Sequence, residues 1–315
     1  MNRLAVIGAL AALAAAGSGV GMSSATFTAH EEFTGTVSTA SDWVAPAVTL
    51  TAPADDSYKN STSVTVSGAA GNAAGDDTTV TLNVYSGSAA TGTPIITRSV
   101  TRSGASWSTT LTGLSQATYT VQATQSDTSD NTGTTSANTF TVDTVAPTRV
   151  SVSAANGSGG TIGHPDPGDT ITFTYSERML PSSILPGWNG TSAATVRVRF
   201  FSGGSADGFT VLDSTNAASL RLENGNATSS GGVTLGTKDY VTATTTFPAT
   251  LTQSSDGKSF VVALTGASNV PSAIVSGSQS ARAMTWTPKT GATDMASNGL
   301  ASLASWTETD NDRDF

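Results

Sequence analysis

The sequence predicts an all-β protein built as two tandem β-sandwiches, and three observations carry that expectation. Apolar and polar residues alternate, as where Tyr119, Val121 and Ala123 interleave with Thr120, Gln122 and Thr124; a period of two marks a strand with one buried face. Charged residues are only 12% of the 315-residue chain, and Thr, Ser, Gly and Ala fill it in place of Glu/Lys/Leu-rich helical runs. Thr and Val suit pleated surfaces, while Gly and Asn suit turns. Third, residues 117–148 spell a strand, an acidic turn Asp127–Asn131, a second extended stretch Thr139–Val142, and a joint Asp143-Thr-Val-Ala-Pro147 that leads into fresh β-like sequence. That order reads as the last hairpin of one sandwich and the hinge to the next.

Composition narrows the partners. A net charge of −9 speaks against nucleic acid, which needs a basic stripe. With no Cys there are no disulfide staples and no Cys-ligated metals, so core packing, bound cations or both must hold the fold. At the N-terminus Arg3 precedes an apolar, Ala-rich run from Leu4 to Ala16, the length of a signal-peptide core and short of the roughly 18–20 residues a membrane span needs. Ser23 and Ala25 set a cleavage point before Thr26, so 1–25 is expected to be removed on export, leaving 26–45 as a polar, flexible arm. Residues 14–37 also resemble the signal sequences of biofilm-fibre and camelysin proteins, cut by a SipW-like peptidase. Ala25-Thr26-Phe27-Thr28 carries the likeness, and His30-Glu31 departs from it. The resemblance implies export and surface assembly.

The first module, 46–144, reads strand by strand as Val48–Leu50, Ser63–Ser67, the long Val80–Val84 segment, Ile95–Val100, Trp107–Leu111, Tyr119–Ala123 and Thr139–Val142. About seven short strands in some 100 residues is the signature of an immunoglobulin-like (Ig-like) sandwich. Tyr119, opening the sixth strand, sits where a tyrosine-corner hydroxyl bonds back to the chain, and Trp107 is expected in the core. Pro53, Gly68, Tyr119, Asp127, Asn131 and the Val142-Asp143-Thr144…Pro147 ending resemble a bacterial Ig-like domain of adhesins and surface proteins. Asp130 stands where that family's Asp-x-x-Gly-Asn turn has Gly.

The second module, 145–309, restarts at Thr148–Val152. A Pro-rich turn Gly163–Asp169 precedes Thr170–Tyr175, which points Ile171, Phe173 and Tyr175 inward. Pro181 and Pro186 limit any helix between Met179 and Trp188 to one turn. Further strands are expected at Val196–Phe200, Phe209–Leu212, Leu220–Leu222, Val233–Leu235, Tyr240–Ala243, Ala249–Thr252, Phe260–Leu264 and Ala283–Trp286, with a hairpin loop at Gln253–Lys258. The run from Asp169 to Met179, and the closing stretch Thr285–Asn298, resemble a surface-layer type of Ig-like domain; Glu177 is that family's acidic residue and reads as a strand-edge residue. Residues 310–315 form an acidic tail with no sorting signal or apolar anchor, and read as a solvated end.

Chemistry is sparse. His30 lies in the arm and His164 between Gly163 and Pro165, with no nucleophile elbow, zinc signature or phosphate loop, so no enzyme activity is expected. The stronger pattern is acidic: Asp127 and Asn131 are four apart, and so are Asp294 and Asn298, each pair before a final strand. With Asp130 and Asp143 these form a candidate calcium set, since Ca²⁺ takes six to eight oxygens and an ion at the module junction would stiffen it; the competing role is turn capping. The function expected is that of an exported, non-enzymatic structural or adhesive protein, secreted to the cell surface, matrix or filaments. Its partners would be surface or matrix components or further copies of itself, joined by strand addition. The alternatives are a glycan- or peptide-binding module, with Trp188, Trp286 and Trp306 as the aromatics, and an accessory subunit of a secreted enzyme.

Overall fold

The computed structural model describes residues 43–203, 206–227, 231–236, 240–275, 281–309 and 315. The expected signal (1–25), most of the arm and residues 310–314 lie outside this set. Among the described residues no helix is long and apolar enough to cross a membrane, and the protein is an all-β sandwich protein as its composition predicts.

Eight strands precede the joint: β1 (Ser57–Lys59), β2 (Val64–Ala69), β3 (Thr79–Ser86), β4 (Ile96–Thr101), β5 (Ser106–Leu111), β6 (Ala117–Ser126), β7 (Thr132–Thr134) and β8 (Asn138–Val142). One sheet runs β1-β8-β6-β3-β4 with β7 also on β6, and β2 and β5 form a second. Their inward residues face each other: Val66, Trp107 and Leu111 from the small sheet, and Val80, Leu82, Val84, Val121 and Phe140 from the large one. All pairings are antiparallel except β1 with β8, which run parallel from Ser57↔Phe140 to Lys59↔Val142. Residues 48–50 make no named strand, although Thr49 N–H donates to Ala69 O at 3.0 Å and Thr51 N–H to Ser67 O at 2.8 Å. This strap lies so close that a Cβ on Gly68 would stand 1.9 Å from Thr49 O, and one on Gly133 2.0 Å from Pro46 O. Both positions therefore require Gly. Trp107 is buried and its indole N–H is shared between Thr49 O and Ala69 O. The Tyr119 hydroxyl donates to Ser115 O at 3.0 Å, the corner the sequence predicts.

After the joint come β9 (Arg149–Ala155), β10 (Thr170–Tyr175), the one-turn helix α1 (Pro181–Ile184), β11 (Ala194–Phe201), β12 (Gly208–Asp213), β13 (Val233–Thr234), β14 (Thr245–Gln253), β15 (Ser259–Leu264), β16 (Thr285–Trp286) and β17 (Trp306–Thr307). They hydrogen-bond in one path, β17-β16-β13-β12-β11-β14-β15-β10-β9. The sheet folds over itself, because Trp286 of β16 packs edge-on against Phe173 and Tyr175 of β10, centroids 5.3 and 5.4 Å apart, across most of the strand order. Aromatic pairs of this kind add to the area they bury. A second core results, separate in sequence from the first.

Several expected elements differ. Leu220–Leu222 forms no strand: Leu220 and Leu222 are buried and Leu220 N–H still bonds Val211 O of β12 at 2.8 Å, but Arg221 N–H bonds Ile184 O and Leu222 O accepts the Trp286 indole N–H at 2.9 Å, so the pairing ends there. Tyr240–Ala243 is reduced to a single bridge, Val241 with Ile274. β6, at ten residues, exceeds the eight of β3, the long Val80–Val84 segment. Phe315 is not solvated: its ring is buried against Phe200, Phe209 and Tyr240. Glu223 is fully buried, an outcome the sequence does not suggest. It accepts from Thr210 Oγ1 at 2.5 Å, Val211 N–H at 3.1 Å and Gly225 N–H, and burial pushes its carboxyl above the usual range.

Candidate functional site

The two Asp/Asn pairs fold into the same turn. Asp127 Oδ1 accepts Asn131 N–H at 2.9 Å, Asp127 Oδ2 accepts Asn131 Nδ2–H at 2.8 Å, and Asp127 N–H donates to Asn131 O at 3.0 Å. At the other turn Asp294 Oδ1 accepts Asn298 N–H at 2.8 Å, Oδ2 accepts Asn298 Nδ2–H at 2.8 Å, and Asp294 N–H donates to Asn298 O at 3.1 Å. Each turn is closed by a residue in the left-handed region just before the Asn, Asp130 at φ 65° and Ser297 at φ 70°. A side chain there costs energy that Gly does not.

Their surroundings separate them. The Asp127 turn caps itself: Ser129 N–H also bonds Oδ1, Asn131 donors hold the Asp127 carboxyl below its usual range, and Asp130 points to solvent. The Asp294 turn lies at the joint. Asn298 Nδ2 donates a second bond to Asp143 O at 2.9 Å, at the end of β8. One carboxylate oxygen from each of Asp143, Glu177 and Asp294 lies within 4.8 Å of the other two. Of the six residues in the candidate set, the fold thus gathers Asp143 and Asp294 with Asn298 behind them, while Asp127, Asp130 and Asn131 belong to no three-acid group among the described residues.

Glu177 is the member that sequence reading missed. It extends the inward-pointing series Ile171, Phe173, Tyr175 by one more alternate position, which sets an acid on the apolar parity where the sheet runs out. Burial comes first, then the charges of Asp143 and Asp294 and a hydrogen bond to Asp143; against the opposing pull of Lys258 these push its carboxyl up to about 7. Glu177 Oε1 is shielded from water and has no hydrogen-bond partner. Such a group is satisfied by a proton or by a cation. Three carboxylates drawn from both sides of the joint are hard oxygen donors of the kind Ca²⁺ prefers. A shallow groove of about 440 Å³, bordered by Thr118, Thr141, Val145 and Ser176, reaches the cluster from outside.

His164 does not take part. Its Nδ1 stands 3.1 Å from Asp166 Oδ1, and Asp166 Oδ2 accepts Thr161 N–H, so the pair closes its own turn and does not border that groove. The three tryptophans do not form an exposed aromatic face: Trp286 is 0% and Trp188 8% exposed, and Trp306 is half-buried.

No protein-family model matches the chain, and no curated protein matches it. Among solved structures it is similar to the fibronectin(III)-like modules of Clostridium thermocellum CbhA, at 13% identity and a TM-score of 0.27, with 70% of this chain and 94% of that chain covered.

Proposed function

We propose that the protein is an exported, non-catalytic structural or adhesive element of the cell surface or extracellular matrix, and that its two β-bodies are coupled by a calcium ion at the joint. The observation that carries the reading is the meeting of Asp143 from the first module with Glu177 and Asp294 from the second. A cation bound there would share ligands between both sides and oppose bending. Asn298, which bonds both Asp294 and the Asp143 carbonyl, would hold the ligands in place. The bacterial Ig-like character of 46–144, the surface-layer-like character of 145–309 and the SipW-type signal resemblance belong to the same proposal, as does self-association through strand edges.

The experiment is a thermal melt of the secreted form in excess Ca²⁺ and in EDTA. At free Ca²⁺ near 100 times the dissociation constant, linkage gives about 2.7 kcal/mol of stabilisation, read as a higher Tm. The gain should vanish in Asp294→Asn and persist in Asp127→Asn. Equal melts in both buffers would remove the ion from the proposal, and recovery of the mature chain from the cytoplasm would remove the surface role.

A further inference from the structure

A second pocket, of about 530 Å³, opens where the segment after β10, the loop following α1, the β14–β15 hairpin and the Asp294 turn converge. Its volume is in the range of small-ligand sites. Its chemistry runs against the rest of the molecule. The chain has 23 acidic and 14 basic residues, yet the walls carry one cation, Arg178, and no acidic side chain. Arg178 makes no ion pair with a carboxylate of the described residues, and it is exposed.

Several polar groups around it can donate, while Gln253, whose Nε2 is spent on Met179 O and Gly257 O, offers an acceptor. Asn189 Oδ1 is occupied by Thr191 N–H at 3.1 Å and Thr191 Oγ1 at 2.8 Å, which leaves the Nδ2 side of the amide for a ligand. Ser182 and Ser255 add hydroxyls on two other walls. Trp188 and Pro181 supply the apolar surface, the Trp188 ring being fixed by its N–H bond to Ser192 O at 2.7 Å.

We propose that this pocket binds a uronic-acid residue of an acidic polysaccharide, its carboxylate on Arg178, its hydroxyls on Asn189, Ser182 and Ser255, and an apolar ring face over Pro181 and the edge of Trp188. A guanidinium offers two parallel N–H donors to a carboxylate. A sugar ring has the hydroxyls to use the remaining donors, whereas a peptide would need a free strand edge or a groove for its backbone. No unpaired strand edge lines this pocket: β14 and β15 are hydrogen-bonded to each other and to β11 and β10. The pocket is distinct from the groove at the joint, with Met295 of the Asp294 turn in its wall, and EDTA in the test removes any ion held at the neighbouring cluster.

The test is calorimetric titration of the full secreted chain in EDTA with trigalacturonate, a neutral trisaccharide and triglutamate. Trigalacturonate should bind with a Kd below about 1 mM, and the neutral sugar and the peptide at least about tenfold more weakly. Arg178→Gln, at an exposed position, should weaken trigalacturonate at least about tenfold with an unchanged melt. Amide NMR shifts on adding trigalacturonate should map to 178–191 and 253–255. No binding at about 10 mM, equal binding by triglutamate or the neutral sugar, an unaltered Kd in Arg178→Gln, or shifts located elsewhere would each overturn the assignment. Because the NMR map uses the unmodified chain, the result does not depend on the variant folding.

Discussion

The two Asp-x-x-x-Asn turns are built alike and are set in different company. Each closes the same ring of three hydrogen bonds, 2.8–3.0 Å at Asp127 and 2.8–3.1 Å at Asp294, over one left-handed residue. At residue 127 the ring belongs to no group of three acids among the described residues. At 294 it stands opposite two more carboxylates, and its Asn reaches across to the other module. The difference teaches that the local sequence specifies a turn, whereas the candidate site is made by what the fold sets against it.

The largest expected effect is at the turn that faces the joint. Asn298→Ala removes side-chain bonds to both Asp143 O and Asp294 Oδ2. With charge-assisted bonds contributing about 1.5–3 kcal/mol and neutral ones about 1, urea unfolding should find Asn298→Ala destabilised by about 2 kcal/mol or more. A loss under about 1 kcal/mol would mean that the bond across the joint contributes nothing.

The next contrast is in pH. Glu177 keeps its proton up to about 7 in the folded chain against an ordinary value of 4.5, so between those values the folded state binds more protons than the unfolded. Stability without calcium should therefore fall as pH rises from about 4.5 to about 7. Glu177→Gln should flatten that slope, and the gain from calcium should be greater at pH 8 than at pH 5, where a proton competes with the ion. Changes at Asp127, whose carboxyl sits below its usual range, should leave that window untouched.

The smallest contrast concerns the left-handed positions. Ser297→Gly and Asp130→Gly each relieve a positive φ and should stabilise by about 0.5–1 kcal/mol. Ser should gain the more, because Asp tolerates that region better than Ser does. Melting curves of the two variants would measure it, and destabilisation by either would show that the side chain contributes more than its backbone strain removes.

Much of the fold is legible along the chain because burial follows the alternation of residues. Val80, Leu82 and Val84, and Ile171, Phe173 and Tyr175, are inward as their period demands. Leu220 and Leu222 mislead, since an apolar pair reports burial and not backbone pairing. Asp294 and Asn298 are recognisable as a turn from spacing alone. Glu177 is not recognisable as their partner, because nothing near it in sequence announces Asp143 or Asp294. Its one available signal is parity, an acid in the place of the next core residue. Glu223 has no such signal; its carboxylate is satisfied by Thr210, Val211 and Gly225, contacts that only the folded chain assembles.

The parallel pairing of β1 with β8 has a mechanical corollary. The chain enters the first module's main sheet at Ser57 and leaves it at Val142, and these strands lie side by side with Ser57 opposite Phe140 and Lys59 opposite Val142. Tension transmitted along the polypeptide would drag them past each other lengthwise, so their rungs, together with the Asp143 N–H to Lys59 O bond at 2.9 Å, would have to rupture at once instead of unzipping singly.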